Sequence, residues 1–229
     1  MFFSGPLQAG SRTCRIVFPE RPQSAPKTAH LFDGRKSHPV DLPSMNFSEV
    51  IELPGGDLTL ALTRDEIKDP KQLPPHLPIL RIPEDVKDFY IVLLPDAKNK
   101  DMPVKMNLVS TGAGKLKPGE TLWFNFTDHR IVAMLSTMKL DIQPHSKTVS
   151  KSSVIESGYY SAKLAYQANG AGPLAPITEQ SWWHDIHSRH VGFIVETGGR
   201  LPRIYFFRDF RPPLPEGESI EIKPATKRP

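Results

Sequence analysis

From Pro118 to Tyr166 apolar and polar residues alternate with a period of two, and few folds accommodate that rhythm. After the turn Lys117-Pro118-Gly119-Glu120, the residues Leu122, Phe124 and Phe126 fall on one parity. Past Asp128-His129-Arg130, Ile131, Ala133 and Leu135 do the same, and Met138, Leu140 and Ile142 alternate with Thr137, Lys139 and Asp141. A second turn, Gln143-Pro144-His145-Ser146, leads through Val149 and Gly158 to Tyr160, Ala162, Leu164 and Tyr166, again on one parity. Side chains two apart share one face of a strand, so the pattern predicts short antiparallel strands with one face in a core. The 24 prolines among 229 residues point the same way, because proline interrupts long helices.

The remainder of the chain extends this reading. Cys14 to Phe18 and Thr28 to Phe32 are short apolar runs beside Pro-rich loops and read as edge-type strands. Val50-Ile51 and Leu53, the turn Pro54-Gly55-Gly56-Asp57, and Leu58, Leu60 and Leu62 together predict a β-hairpin. Thr63-Arg64-Asp65-Glu66 spells a capping box, but Pro70 limits any helix there to about a turn and a half. Val86 to Leu94 is apolar on both parities, as a central strand covered on both sides would be. Gly198-Gly199, between Val191–Val195 and Arg203–Phe207, predicts a second hairpin. The expected architecture is all-β, two Ig-like antiparallel β-sandwich domains with little helix. Residues 12–110 form the first domain and 116–211 the second, with Ser110 to Lys117 as the boundary and a Pro-rich tail over 212–229. Pro54-Gly55-Gly56-Asp57, Pro118-Gly119-Glu120 and Pro215-Glu216-Gly217 echo one another, which we read as a reused turn rather than a duplication.

Composition excludes several classes. Cys14 is the only cysteine, so no intrachain disulfide exists and the fold rests on its apolar core. The net charge of +4 is mild and does not call for a nucleic-acid partner. No run approaches the roughly 18 to 20 apolar residues of a spanning helix, so no integral membrane segment is expected. Met1 to Gly10, with Phe2, Phe3, Leu7 and Ala9, reads as the end of a clipped export signal.

Three segments carry a resemblance. Leu42-Pro43-Ser44-Met45-Asn46-Phe47-Ser48, Lys117 to Thr127, and Trp182-Trp183 through Arg189 resemble uncharacterised exported bacterial proteins of β-sandwich type. The resemblance implies a sandwich fold and a periplasmic or secreted location, and it transfers no catalytic residue.

Two constellations could carry chemistry. Trp182-Trp183-His184-Asp185-Ile186-His187-Ser188-Arg189-His190 spaces three histidines at intervals of three. On a helix His184, His187 and His190 could share a metal ion; on a strand His187 points away from the other two, which is why no metal is assigned. Arg200-Leu201-Pro202-Arg203-Ile204-Tyr205-Phe206-Phe207-Arg208-Asp209-Phe210-Arg211 interleaves arginines with aromatics, as single-strand nucleic-acid binders do. A closing strand with aromatics inside and arginines facing solvent or a protein explains it equally and is preferred. Ser110 to Lys115 lacks the first Gly and the helix of a phosphate loop. Asn46-Phe47-Ser48 and Asn125-Phe126-Thr127 spell glycosylation acceptors but read as incidental. No nucleophile elbow, Cys-x-x-Cys or His-Glu-x-x-His occurs. The expected function is therefore a non-catalytic structural or protein-binding module without cofactor, exported, with Trp182, Trp183, His184, His187, His190, Arg200, Arg203 and Arg208 as candidate binding residues. The alternative is metal or sugar binding through Trp182 to His190.

Overall fold

The structure is a computed structural model that describes residues 12–23, 25–111, 116–151, 154–168, 172–196 and 201–210. It is all-β, as the alternation predicts. Sheet A places β4 (Ile51–Leu53), β1 (Arg12–Val17), β7 (Asp88–Pro95) and β8 (Val104–Ser110) side by side in that order. Sheet B has the order β3 (Ser37–Asp41), β2 (Thr28–Phe32), β5 (Leu58–Thr63) and β6 (Ile79–Ile82). Sheet C follows with β12 (Lys147–Ser150), β9 (Thr121–Asn125), β15 (Arg189–Val195) and β16 (Arg203–Asp209). Sheet D comprises β11 (Met138–Ile142), β10 (Arg130–Leu135), β13 (Gly158–Gln167) and β14 (Ala175–His184). Pairing is antiparallel except that β1 runs parallel to β7 and β9 parallel to β15.

The two halves repeat one topology strand for strand. Orders 4-1-7-8 and 3-2-5-6 become 12-9-15-16 and 11-10-13-14 when every number rises by eight. This is not the A-B-E-D and C-F-G order of an immunoglobulin constant domain. The turn echo seen in the sequence is not its trace, since Pro54 leads into β5, whereas Pro118 leads into β9, the counterpart of β1. The third echo, at Pro215, lies outside the described residues.

Three apolar layers hold four sheets in the sequence B, A, C, D. Cys14, Ile16, Leu31, Leu60, Phe89 and Ile91 fill the space between A and B. Trp123, Ile131, Ala133, Tyr160, Leu164 and Ile194 fill that between C and D. Between A and C lie Val17, Phe47, Tyr90, Val92, Leu122, Phe193 and Phe207. Hence β7 is buried on both faces, as its sequence predicts, with Phe89 through Leu93 all at 0% exposure. Area removed from water stabilises by about 25 cal/mol per Å2, so this third layer fastens the halves as the other two fasten each sandwich.

A charged cluster closes one end of that central layer. The Asp209 carboxylate accepts a hydrogen bond from the Tyr90 hydroxyl at 2.7 Å and from Arg189 Nε at 3.0 Å, and it pairs with Arg15. Arg189 also pairs with Asp88 at 2.7 Å, and Thr13 donates its hydroxyl to the same Asp88 at 3.0 Å. Asp88 opens β7 and Arg189 opens β15, so equivalent positions of the repeat meet with opposite charge. Two cations and two anions cancel, which makes their burial tolerable. Burial, followed by the charge of Asp209, drives the Tyr90 hydroxyl pKa upward and keeps it a donor.

Several local expectations need correction. β4 and β5 do not pair: β4 joins β1 in sheet A, and the turn at 54–57 carries the chain across to sheet B, where β5 lies between β2 and β6. Nor are β1 and β2 edges, each having a neighbour on both sides. The capping-box spelling starts no helix; instead Asp69 accepts from the Lys71 amide and caps a single 3-10 turn, Pro70–Gln72. The β15–β16 hairpin forms as predicted, although Gly198-Gly199 themselves lie outside the described residues, as do Met1 to Gly10 and the 212–229 tail.

Candidate binding surface

The segment from Trp182 to His190 splits between two environments, and strand parity decides which residue goes where. Trp182, opposite Tyr160 in the β13–β14 register, faces the C–D core. It stacks on Phe206 with ring centroids 5.0 Å apart and on Trp123 at 6.0 Å. Phe206 stacks in turn on His190 at 5.4 Å, and His190 on His184 at 4.7 Å. Five rings thus form one column between the sheets, ending in two histidines that are each only 2% exposed.

His190 occupies a place that the first half fills with an apolar residue. Phe89 and His190 are the second residues of β7 and β15. The fold does not require an imidazole here. Nε2 of His184 and Nδ1 of His190 are buried with no hydrogen-bond partner. Burial lowers the His184 pKa, against its hydrogen bond to the Gly119 backbone and the charge of Asp185. Burial and then the neighbouring His184 pull His190 down to about 4, so both rings are neutral at pH 7.

His187 stands apart in the turn between β14 and β15. Its amide donates to Asp185 Oδ1 at 2.9 Å, and Ser188 donates its hydroxyl to Asp185 Oδ2 at 2.7 Å. This turn docks on the turn before β9: the Gly119 amide donates to Ser188 O at 2.9 Å and the His190 amide to Glu120 O at 3.0 Å. Gly119 has φ +78 and lies under the Ile186 backbone, so a side chain there would be strained and crowded. Among the described residues no three His, Cys, Asp or Glu side chains converge as metal ligands would.

Trp183 belongs to the opposite face. It pairs across the strands with Tyr159, ring edge against ring face, with centroids 5.1 Å apart and planes at 75°. Trp183 is 49% exposed and Tyr159 73% exposed. Along the same face the next cross-strand pair is Ser161 with Ser181, followed by Lys163 with Glu179, which form an ion pair. Farther on, Val132, Met134, Ala165, Pro176 and Ile177 border a shallow groove of about 430 Å3. A register shift at Leu164/Ala165, with Pro176 beside it, bends the outer strand β14 there. Sequence reasoning missed Tyr159, because its partnership with Trp183 depends on register across 24 residues of chain.

The arginines of β16 are divided as well. Arg203 reaches Glu20 at 3.6 Å and Arg208 reaches Asp185 at 3.5 Å, while Arg200 and Arg211 lie outside the described residues. The aromatics between them point into two cores, Phe206 toward sheet D and Tyr205 and Phe207 toward sheet A. Phe210, directly after the strand, is 61% exposed. Asn125 is buried, its amide donating to the carbonyls of His129 and Gln143, so the glycosylation spelling there serves structure. Compared with known proteins, the sequence matches no family model, and no curated protein is similar to it.

Proposed function

We propose that this chain is a non-catalytic, exported binding module whose working surface is the outer face of the β13–β14 hairpin. The observation that carries the reading is the exposed Tyr159–Trp183 pair, held rigid by cross-strand packing on a sheet face that no other described element covers. Large aromatic rings left in water lose the burial that stabilises their counterparts in the core, and a ligand that covers them recovers it. The repeat adds a second support. In the first half β5 and β6 span six and four residues, whereas β13 and β14 span ten each, so the second copy is elaborated at the element that bears the aromatics.

The test is site-specific photo-crosslinking in the source cells. A photoreactive side chain at position 183 is expected to yield a covalent adduct, and one at Arg81, on the corresponding hairpin of sheet B, is not. Adducts at neither position, or equally at both, would remove the outer face of sheet D as the working surface.

A further inference from the structure

We infer that the Tyr159–Trp183 face binds a neutral carbohydrate chain, an inference that rests on the binding-module reading above. The two rings expose on the order of 250 Å2 of aromatic surface. A stable protein interface buries about 800 Å2 per partner, so this pair alone is small for one. The groove farther along the face is shallow and lined by the Lys163 and Glu179 charges, whereas an apolar ligand needs an enclosing apolar pocket. A sugar ring fits these limits. It presents an apolar C–H face that lies against an aromatic ring, and a rim of hydroxyls that must find hydrogen-bond partners.

The strands supply both. Trp183 offers the platform, and its edge-to-face contact with Tyr159 holds the pair in place, so little side-chain freedom is lost on binding. One cross-strand row along, about 7 Å away, Ser161 and Ser181 offer two hydroxyls, each donor and acceptor. The row beyond carries Lys163 and Glu179, an ammonium and a carboxylate fixed by their mutual ion pair, both more than half exposed. Ammonium donors and carboxylate acceptors side by side suit adjacent hydroxyls of a further sugar unit. Because those two charges cancel, the face selects a neutral chain rather than an acidic one. The polysaccharide would lie along the outer face of β13 and β14, with one sugar ring on Trp183.

Native affinity electrophoresis in gels cast with xylan, hydroxyethyl cellulose, glycol chitin or dextran tests this directly. The wild-type chain is expected to be retarded by at least one of these polymers. Trp183→Ala and Tyr159→Ala, both at exposed positions that leave folding intact, should each weaken the retardation at least tenfold, and Arg81→Ala should not. Titration with the retarding polymer should also shift tryptophan emission, and Trp183→Phe should abolish the shift, because Trp123 and Trp182 lie within the core column. Unchanged mobility in all four gels overturns the inference, as does retardation that survives both alanine variants. A protein adduct at position 183 without retardation would overturn the carbohydrate inference and leave the binding-surface reading standing.

Discussion

Acidification should destabilise this protein through His190 and, in the same direction, through its stacked neighbour His184. In the folded chain the His190 pKa sits at about 4 instead of 6.5, because burial penalises the charged ring and His184 stacks on it. Asp185 opposes that shift and Arg208 reinforces it. Between those two values the unfolded chain binds a proton that the folded chain excludes, so stability falls as pH drops. The contribution is intact above the unfolded value and lost by the time pH reaches the folded one. The difference corresponds to about 3 kcal/mol in all, of which roughly 2.5 kcal/mol is lost by pH 4.5. His190→Phe isolates it, since the first half carries Phe89 at the equivalent place and a phenyl ring suits the stack on Phe206. Urea unfolding at pH 7 and pH 4.5 should show the wild type losing about 2 kcal/mol more than the variant over that interval. The lowered carboxylates Asp33, Asp141 and Asp185 lose their contribution at still lower pH, so they do not blur the window. Equal losses in wild type and variant would refute the assignment of the pH dependence to this ring.

Three further substitutions probe the packing. Gly192→Ala should cost about 2–3 kcal/mol in urea unfolding, because a Cβ there would lie 3.1 Å from Trp123 Cδ2 and nearer still to Cε3 and Cζ3, deep in the core. Asp209→Ala should cost about 3–5 kcal/mol, since it leaves Arg15, Arg189 and Tyr90 buried around a missing carboxylate; a loss below 1 kcal/mol would show the cluster to be solvated. Arg12→Ala should cost about 3 kcal/mol, with Arg12→Lys only partly restoring it. The fully buried guanidinium donates to the backbone carbonyls of Ile82, Gly56 and Glu84, a spread that one ammonium cannot reach.

Parity made much of the fold legible. The alternation from Leu122 to Tyr166 assigns faces correctly, and the two-sided apolarity of Phe89 to Leu93 identifies β7 as central. Pairing was not legible, because it joins distant residues. Nothing local tells that Leu58 joins sheet B while Ile51 joins sheet A, and a turn such as Pro54-Gly55-Gly56-Asp57 serves a hairpin or a crossover equally. The interior position of β1 depends on Asp88 to Val92, some 75 positions away. Of the candidate residues, parity separates Trp182 from Trp183 but cannot show which core receives the former. The notable polar cluster of the molecule, Arg15, Asp88, Arg189 and Asp209, escaped notice because its members are scattered over the chain and each looks like an ordinary surface charge.

The repeat was hidden for a related reason, and the way it was hidden bears on function. Matched positions of the two copies have exchanged character: Phe89 answers to His190, and Asp88 to Arg189. The last exchange has a structural explanation, since opposite charges at equivalent positions pair across the central layer where like charges would repel. Joining the copies through sheets A and C also fixes what remains free, namely the outer faces of B and D. These are not alike. On sheet B, Ala61 and Thr63 are buried, and Arg81 and Ile79 lie on the short β6. On sheet D, strands of ten residues carry Tyr159 and Trp183 into solvent. One topology therefore yields an outer face with the exposed Ile79 and Arg81 in the first copy and an aromatic face in the second. The exposed ring pair on the second copy is the observation behind the binding surface proposed above.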